Sequence, residues 1–249
     1  MKINLKVRSF KRLDNPKAID DFERKNLRFK NVFYVNVLDI KKELGDQMRT
    51  NPRSQKFTQS VAKKISETLI SQDNFHELNR GVVFSVNSIN YDNQTKIASL
   101  EFIDEDVHGN IDGGHTLKII IQLNEFLEFY DNKTIETLND ENIFKQTYIK
   151  NESDIDVSEW KNNASKNYVS LEVFNGLNTN DILQLAEARN TSVEVDQKSI
   201  LNLNKKFEFI KEIFQTEPYS NRIQYKQNER NDNKRMIDVR DIIALINLL

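Results

Sequence analysis

The chain has 249 residues, 38% hydrophobic and 30% charged, a balance that excludes a collagen-like or Pro/Gly-rich low-complexity protein and is enough to bury a full-sized core. It has no cysteine, which removes disulfides, zinc ribbons, thiol nucleophiles and iron–sulfur clusters and agrees with a cytoplasmic location. The formal net charge of -2 argues against a generic polyanion binder. No apolar run approaches the roughly 20 residues of a membrane-spanning helix, and MKINLKVRSF does not read as a signal peptide, so no membrane partner is expected.

The elements read in chain order as follows. Ile3, Leu5 and Val7 alternate with polar residues as in a strand, and Asn15-Pro16 opens a helix to about Lys25. Val32–Ile40 is β-rich, after which DIKKELG closes as a short helix with Gly45 as its C-cap. After the loop GDQMRTNPRS comes a long amphipathic helix, SQKFTQSVAKKISETLISQ, whose Phe57, Val61, Ile65 and Leu69 define a core face. Gly81–Tyr91 and Lys96–Asp104 are strand-like runs joined at Asp92-Asn93-Gln94. HGNIDGGHT then gathers three of the six glycines ahead of Leu117–Tyr130, which is apolar enough to be a buried helix.

Asp131–Lys166 is acidic, asparagine-rich and weakly periodic, as in an insertion. Tyr168–Phe174 reads as a strand and Thr179–Ala188 as a helix capped by Thr179 or Asn180. An amphipathic helix over Asp196–Phe214, a strand at Ile223–Lys226 and an apolar helix over Asp238–Leu249 complete the chain, which stops mid-pattern on INLL as a fragment would. Two parts result: an α/β domain over 1–166 and a strand plus helical portion over 167–249, continuous with it. Charge is uneven, basic from Met1 to Lys64 and acidic from Glu101 to Glu159, which fits either a phosphate-facing surface or two segments that pack together.

Ile111-Asp112-Gly113-Gly114-His115-Thr116-Leu117 is the most informative stretch. A strand end, two glycines and a helix start leave unpaired amides at the positive end of a helix dipole, where an anion can bind and where glycine lets it come close. The other reading is a tight structural turn with Asp112 as an Asx or N-cap residue. The turn is neither a Walker A loop nor a Rossmann fingerprint. Asn51-Pro52-Arg53 and Asn79-Arg80-Gly81 each set an arginine beside a chain reversal, where a guanidinium could clamp a phosphate. His108 and His115 lie among Asp104, Glu105, Asp106 and Asp112, but without metal-ligand spacing.

The order of these pieces, NPR, amphipathic helix, NRG, strand pair, IDGGHTL, then LAEARNTSVEVDQKSILNL and IQYKQNER, resembles the AIPR family, the abortive-infection phage-resistance proteins, from about Asn51 to Arg230. The layout is also similar to the ParB and sulfiredoxin-like group, including the DGQHR proteins, whose glycine turn and helix N-terminus bind nucleotide phosphate. The resemblance implies a mixed α/β, ParB-like sheet flanked by helices with a helical C-terminal portion. It implies a ligand site at Asn51, Arg53, Asn79, Arg80, Gly81, Asp112, Gly113, Gly114, His115 and Thr116, joined by Arg189 and Asn190 ahead of Thr191 and Val193. Gly114 stands where DGQHR proteins carry glutamine and Thr116 where they carry arginine, which argues against triphosphate hydrolysis of the ParB kind.

The resulting expectation is a phage-defence protein that binds a nucleotide, with magnesium as its companion ion, or a nucleic acid. The alternatives are a non-catalytic module that binds a phage or host protein, and a metal-dependent nuclease built on the acids from Asp104 to Asp112. Enzymatic turnover and oligomeric state are left open.

Overall fold

The computed structural model describes residues 1–14, 28–47, 59–148, 156–189, 202, 207–225 and 236–246. The expected helix after Asn15, the NPR loop with Asn51 and Arg53, Phe57, and the segment from Asn190 to Thr191 and Val193 lie outside the described residues. Within them the protein is a mixed α/β fold. Strands β1 (Lys2–Lys6), β2 (Arg8–Asp14), β3 (Phe29–Asn36), β4 (Val82–Val86), β5 (Ser88–Asp92), β6 (Ile97–Glu101), β7 (Gly109–Asp112) and β8 (Tyr168–Asn175) form two sheets. One has the order β1-β6-β5 and the other β2-β3-β8-β4-β7.

The central strand is β8, antiparallel to β3 and parallel to β4. Alternation explains its place: Val169, Leu171 and Val173 are buried on one face, while Ser170, Glu172 and Phe174 point to the other. The expected strand here is therefore the middle of the larger sheet, so the 167–249 portion begins inside the architecture of the first. The run expected over Gly81–Tyr91 breaks at Asn87 into β4 and β5, which belong to different sheets. The Asn87 backbone donates to the Glu101 carbonyl at 2.8 Å and its side chain to the Glu101 carboxylate at 2.9 Å, so the corner is held on β6. The Asp92 turn closes the β5–β6 hairpin, with the carboxylate accepting from the Gln94 amide at 2.8 Å.

The helices are α1 (Gln59–Ser71), α2 (Phe75–Leu78), α3 (Gly114–Asp131), α4 (Ile143–Tyr148), α5 (Val157–Lys166), α6 (Thr179–Arg189), α7 (Glu208–Phe214) and α8 (Val239–Ile246). As expected, α3 is the buried helix: Leu117, Ile119, Ile120, Leu123, Phe126 and Leu127 all lie in the core. The face expected on α1 needs correction. A spacing of four advances 40° per step on a 100° helix, so Val61 and Leu69 differ by 80°, and Val61 is 48% exposed whereas Leu69 is fully buried. The face that packs is Ala62, Ile65, Ser66, Leu69 and Ile70, so the expected Ile65 and Leu69 lie on it and Val61 does not.

Several other boundaries shift for local reasons. β3 ends at Asn36 because its carboxamide accepts from the Leu38 amide at 3.0 Å and starts a 3-10 turn. DIKKELG forms only 3-10 turns, with Gly45 at the last C-cap as expected. α6 is capped by Asn178, which exchanges hydrogen bonds of 3.0 and 2.9 Å with Asp181, rather than by Thr179 or Asn180.

Asp131–Lys166 is not peripheral. It supplies α4 and α5, whose Phe144 and Trp160 pack with Phe126 of α3, at ring centroid separations of 6.1 Å for Phe126–Phe144 and 5.6 Å for Phe126–Trp160. Four or five aromatic rings need little periodicity to bury a surface, which is why a weakly amphipathic sequence still joins the core. Phe144 is fully buried, so Phe144→Ala should cost about 3–5 kcal/mol in chemical denaturation. A loss below about 1 kcal/mol would return this region to the status of an insertion.

Candidate functional site

The glycine box forms the expected junction: β7 ends at Asp112, Gly113 takes the left-handed conformation at φ 77°, and α3 begins at Gly114. Gly113 gives the first turn of α3 no side-chain acceptor. The carboxylate of Asp112 accepts from the Gly113 amide at 2.7 Å. A register shift between β4 and β7 just before the junction is bridged by Asn110, fully buried, whose amide group donates to the Val83 carbonyl at 3.2 Å and the Asp112 carbonyl at 2.8 Å.

The Asn79-Arg80-Gly81 turn packs directly on this junction. Asn79 donates to the Thr116 hydroxyl at 3.0 Å, and its carboxamide oxygen accepts from that hydroxyl at 3.3 Å and from the Gly81 amide at 2.8 Å. Two boxes 37 residues apart are thus tied by one asparagine. Gly81 is also left-handed, at φ 84°. A Cβ on Gly113 would stand 2.9 Å from Val82 Cα and closer still to the Gly81 carbonyl oxygen, and one on Gly81 would stand 2.9 Å from Ser170 Cβ. What comes close to Gly113 is the protein's own backbone. The expectation that the missing side chain leaves room for a ligand is corrected at this position: the room is filled by Gly81 and Val82.

The asparagine pattern continues upstream. Asn167, fully buried at the start of β8, accepts from the Phe75 amide at 3.1 Å and donates to the carbonyls of Leu69 at 3.0 Å and Gln72 at 2.7 Å. It joins the end of α1 to the start of α2, and α2 leads straight into Asn79 and Arg80. A groove of about 410 Å³ between these helices, lined by Val61, Ile65, Phe75 and Leu78, ends at Asn79.

The remaining candidates fall in different places. Arg80 is exposed and makes no ion pair among the described residues. His115 is half-buried in the first turn of α3, and Gly114 and Thr116 are buried there. Arg189 does not join this junction: it pairs with Glu172, and Lys30 reaches the same carboxylate at 2.6 Å. Around His108 the acids serve a turn. The His108 ring nitrogen Nδ1 accepts from the Asp104 amide at 3.0 Å, and the Asp104 carboxylate accepts from the Asp106 amide at 2.9 Å. Burial lowers the His108 pKa against the pull of Asp104 and Glu101, which suits a neutral acceptor. Among the described residues no three His, Asp or Glu side chains gather as a metal site.

The chain belongs to the AIPR protein family, whose model matches residues 48–248. Membership suggests a role in abortive infection, the antiviral defence that gives the family its name. No curated protein and no solved structure matches it. Among the described residues no helix is long and apolar enough to cross a membrane.

The Glu172 cluster carries a pH signature. Burial alone would raise the carboxyl pKa, but Lys30 and Arg189 outweigh it and hold the pKa below the ordinary glutamate value. A group with a lowered folded pKa stabilises the protein above its unfolded pKa and loses that contribution as pH falls through the folded pKa. Glu172→Gln should therefore cost about 1.5–3 kcal/mol at pH 7, the scale of a hydrogen bond to a charged group. The gap between variant and parent should close as pH drops below about 4. A gap that stays constant to pH 3 would show that the carboxylate charge is not what holds Lys30 and Arg189.

Proposed function

We propose that this AIPR protein acts in phage defence by binding a phosphate-bearing ligand at the junction of the Arg80 turn with the N-terminus of α3. The observation that carries the reading is the Asn79–Thr116 pair, which brings an exposed arginine with no ion pair among the described residues to the start of an 18-residue helix. The positive end of a helix dipole and a guanidinium are complementary to the same anion. Arg53, in the NPR box, belongs to this reading as a second clamp, and His115 as a hydrogen-bond donor. Arg189 contributes less, because Glu172 already neutralises it. Thr116 in place of an arginine favours binding over rapid turnover, for want of a cation on the transferred phosphate.

A second reading is favoured by one observation. Gly81 and Gly113 are needed for packing and the Asp112 carboxylate already occupies the Gly113 amide, so on this second reading the junction is structural, within a module that binds a protein partner. Titration calorimetry with ATP and with pyrophosphate, each with and without magnesium, separates the two. The first reading expects binding that Arg80→Ala weakens by about 1.5–3 kcal/mol, roughly 10- to 150-fold. No detectable heat with any phosphate compound favours the interaction module.

A further inference from the structure

We propose that the face of the five-stranded sheet that carries Tyr34 and Tyr168, at the end where β8 begins, is a track for single-stranded nucleic acid, with Tyr34 and Tyr168 as stacking platforms and Arg8, Lys11 and Arg80 as phosphate contacts. The proposal rests on the phosphate reading of the Arg80 turn and extends it from a single phosphate to a polymer.

Topology brings these residues into one row. β2, β8 and β4 begin, and β3 and β7 end, at the same edge of the sheet: Arg8 pairs with Tyr34, Tyr34 with Ser170, and Asn36 with Tyr168. Gly81 abuts Ser170, and Gly113 abuts Gly81. From Arg8 to Gly113 is four strand spacings of about 4.8 Å, or about 19 Å, enough for several nucleotides. No motif in the sequence signals this row, since its members come from four separate segments.

The first cations are set out by a β-bulge. Register shifts between Arg8 and Lys11, and Ser9 at the bulge has φ 56°, a left-handed conformation that a serine adopts only at a cost. In a regular strand Arg8 and Phe10 would share a face. The bulge instead sends Phe10 inward, stacked on Tyr91 at 4.2 Å and Phe33 at 5.6 Å, and leaves Arg8 and Lys11 together on the outer face.

Charge and shape then choose the ligand. Glu172, the carboxylate of β8 on this face, is neutralised by Lys30 and Arg189, whereas Lys11 makes no ion pair among the described residues. Arg8 lies over the Tyr168 ring with its guanidinium carbon 5.2 Å from the centroid, a flat cationic stack of the sort bases pack against. Tyr34 is half-buried and held edge-on by the His76 ring at 6.3 Å, so its orientation is fixed before any ligand arrives. Rings set between cations match the alternation of base and phosphate in an unpaired strand; a duplex hides its base faces, and an acidic peptide needs only the cations.

The test is fluorescence anisotropy with labelled 12-nucleotide poly-dT and poly-U, a 12-base-pair duplex, and poly-glutamate as competitor. Circular dichroism checks that each variant is folded. The single strands should bind with a steep salt dependence. Tyr34→Ala and the exposed pair Arg8→Ala/Lys11→Ala should each weaken them about tenfold or more, and the duplex should bind more weakly than either strand. Oligonucleotide binding that Arg80→Ala abolishes but the other variants leave within twofold would overturn the track and spare the phosphate site. ATP binding without oligonucleotide binding would do the same. Equal competition by poly-glutamate would overturn the proposal in favour of an acidic protein partner, equal duplex binding would overturn the single-strand assignment, and failure of every phosphate compound would remove both readings.

Discussion

Gly81 and Gly113 face each other with no side chain between them, and the candidate site is arranged around that contact. A Cβ at either position would collide with neighbouring backbone or with Ser170, and both residues hold φ values that L side chains rarely adopt. Because the two reversals touch through bare backbone, the start of β4 and the end of β7 lie side by side. The N-terminus of α3 then emerges beside Arg80, with Asn79 and Thr116 locking the register. The same contact sets the end of the sheet at which Tyr168 and Arg8 also sit.

Asparagine does much of the connecting. Asn79, Asn110, Asn142 and Asn167 are buried or half-buried, and their carboxamides tie backbone groups of separate elements together; Asn142, for example, donates to the Gln122 carbonyl of α3 at 2.8 Å. A carboxamide offers a donor and an acceptor on one short, uncharged stem, so it can close a buried turn without the desolvation cost of a carboxylate. The abundance of asparagine, which as composition points to no chemistry, is used here to hold α1, α2, β8 and the glycine junction in one frame.

What the sequence revealed follows the range of its signals. The junction at Asp112–Thr116, the buried helix after it and the β8 strand were legible because local pattern dictates each: a run of apolar residues, paired glycines, strict alternation. The break at Asn87 was not, since both halves alternate correctly and only the partner strand differs. On α1 the expected Ile65 and Leu69 do face the core, while a drift of 40° per step carries Val61 out to solvent, and the aromatic cluster of Phe126, Phe144 and Trp160 is hidden because its members come from three helices. Of the site, the NRG and DGGHT boxes meet as their order implied, while Arg189 is drawn away by Glu172, an ion pair across 17 residues that no short motif encodes.

The most direct measurement is the unfolding free energy of Gly113→Ala, set beside its parent in urea. Left-handed strain together with the clash against Gly81 and Val82 predicts a loss of at least about 2 kcal/mol, large for the addition of one methyl group. A variant within about 0.5 kcal/mol of the parent would contradict the account, because the bare-backbone contact between the two reversals would then not be what sets Arg80 at the start of α3.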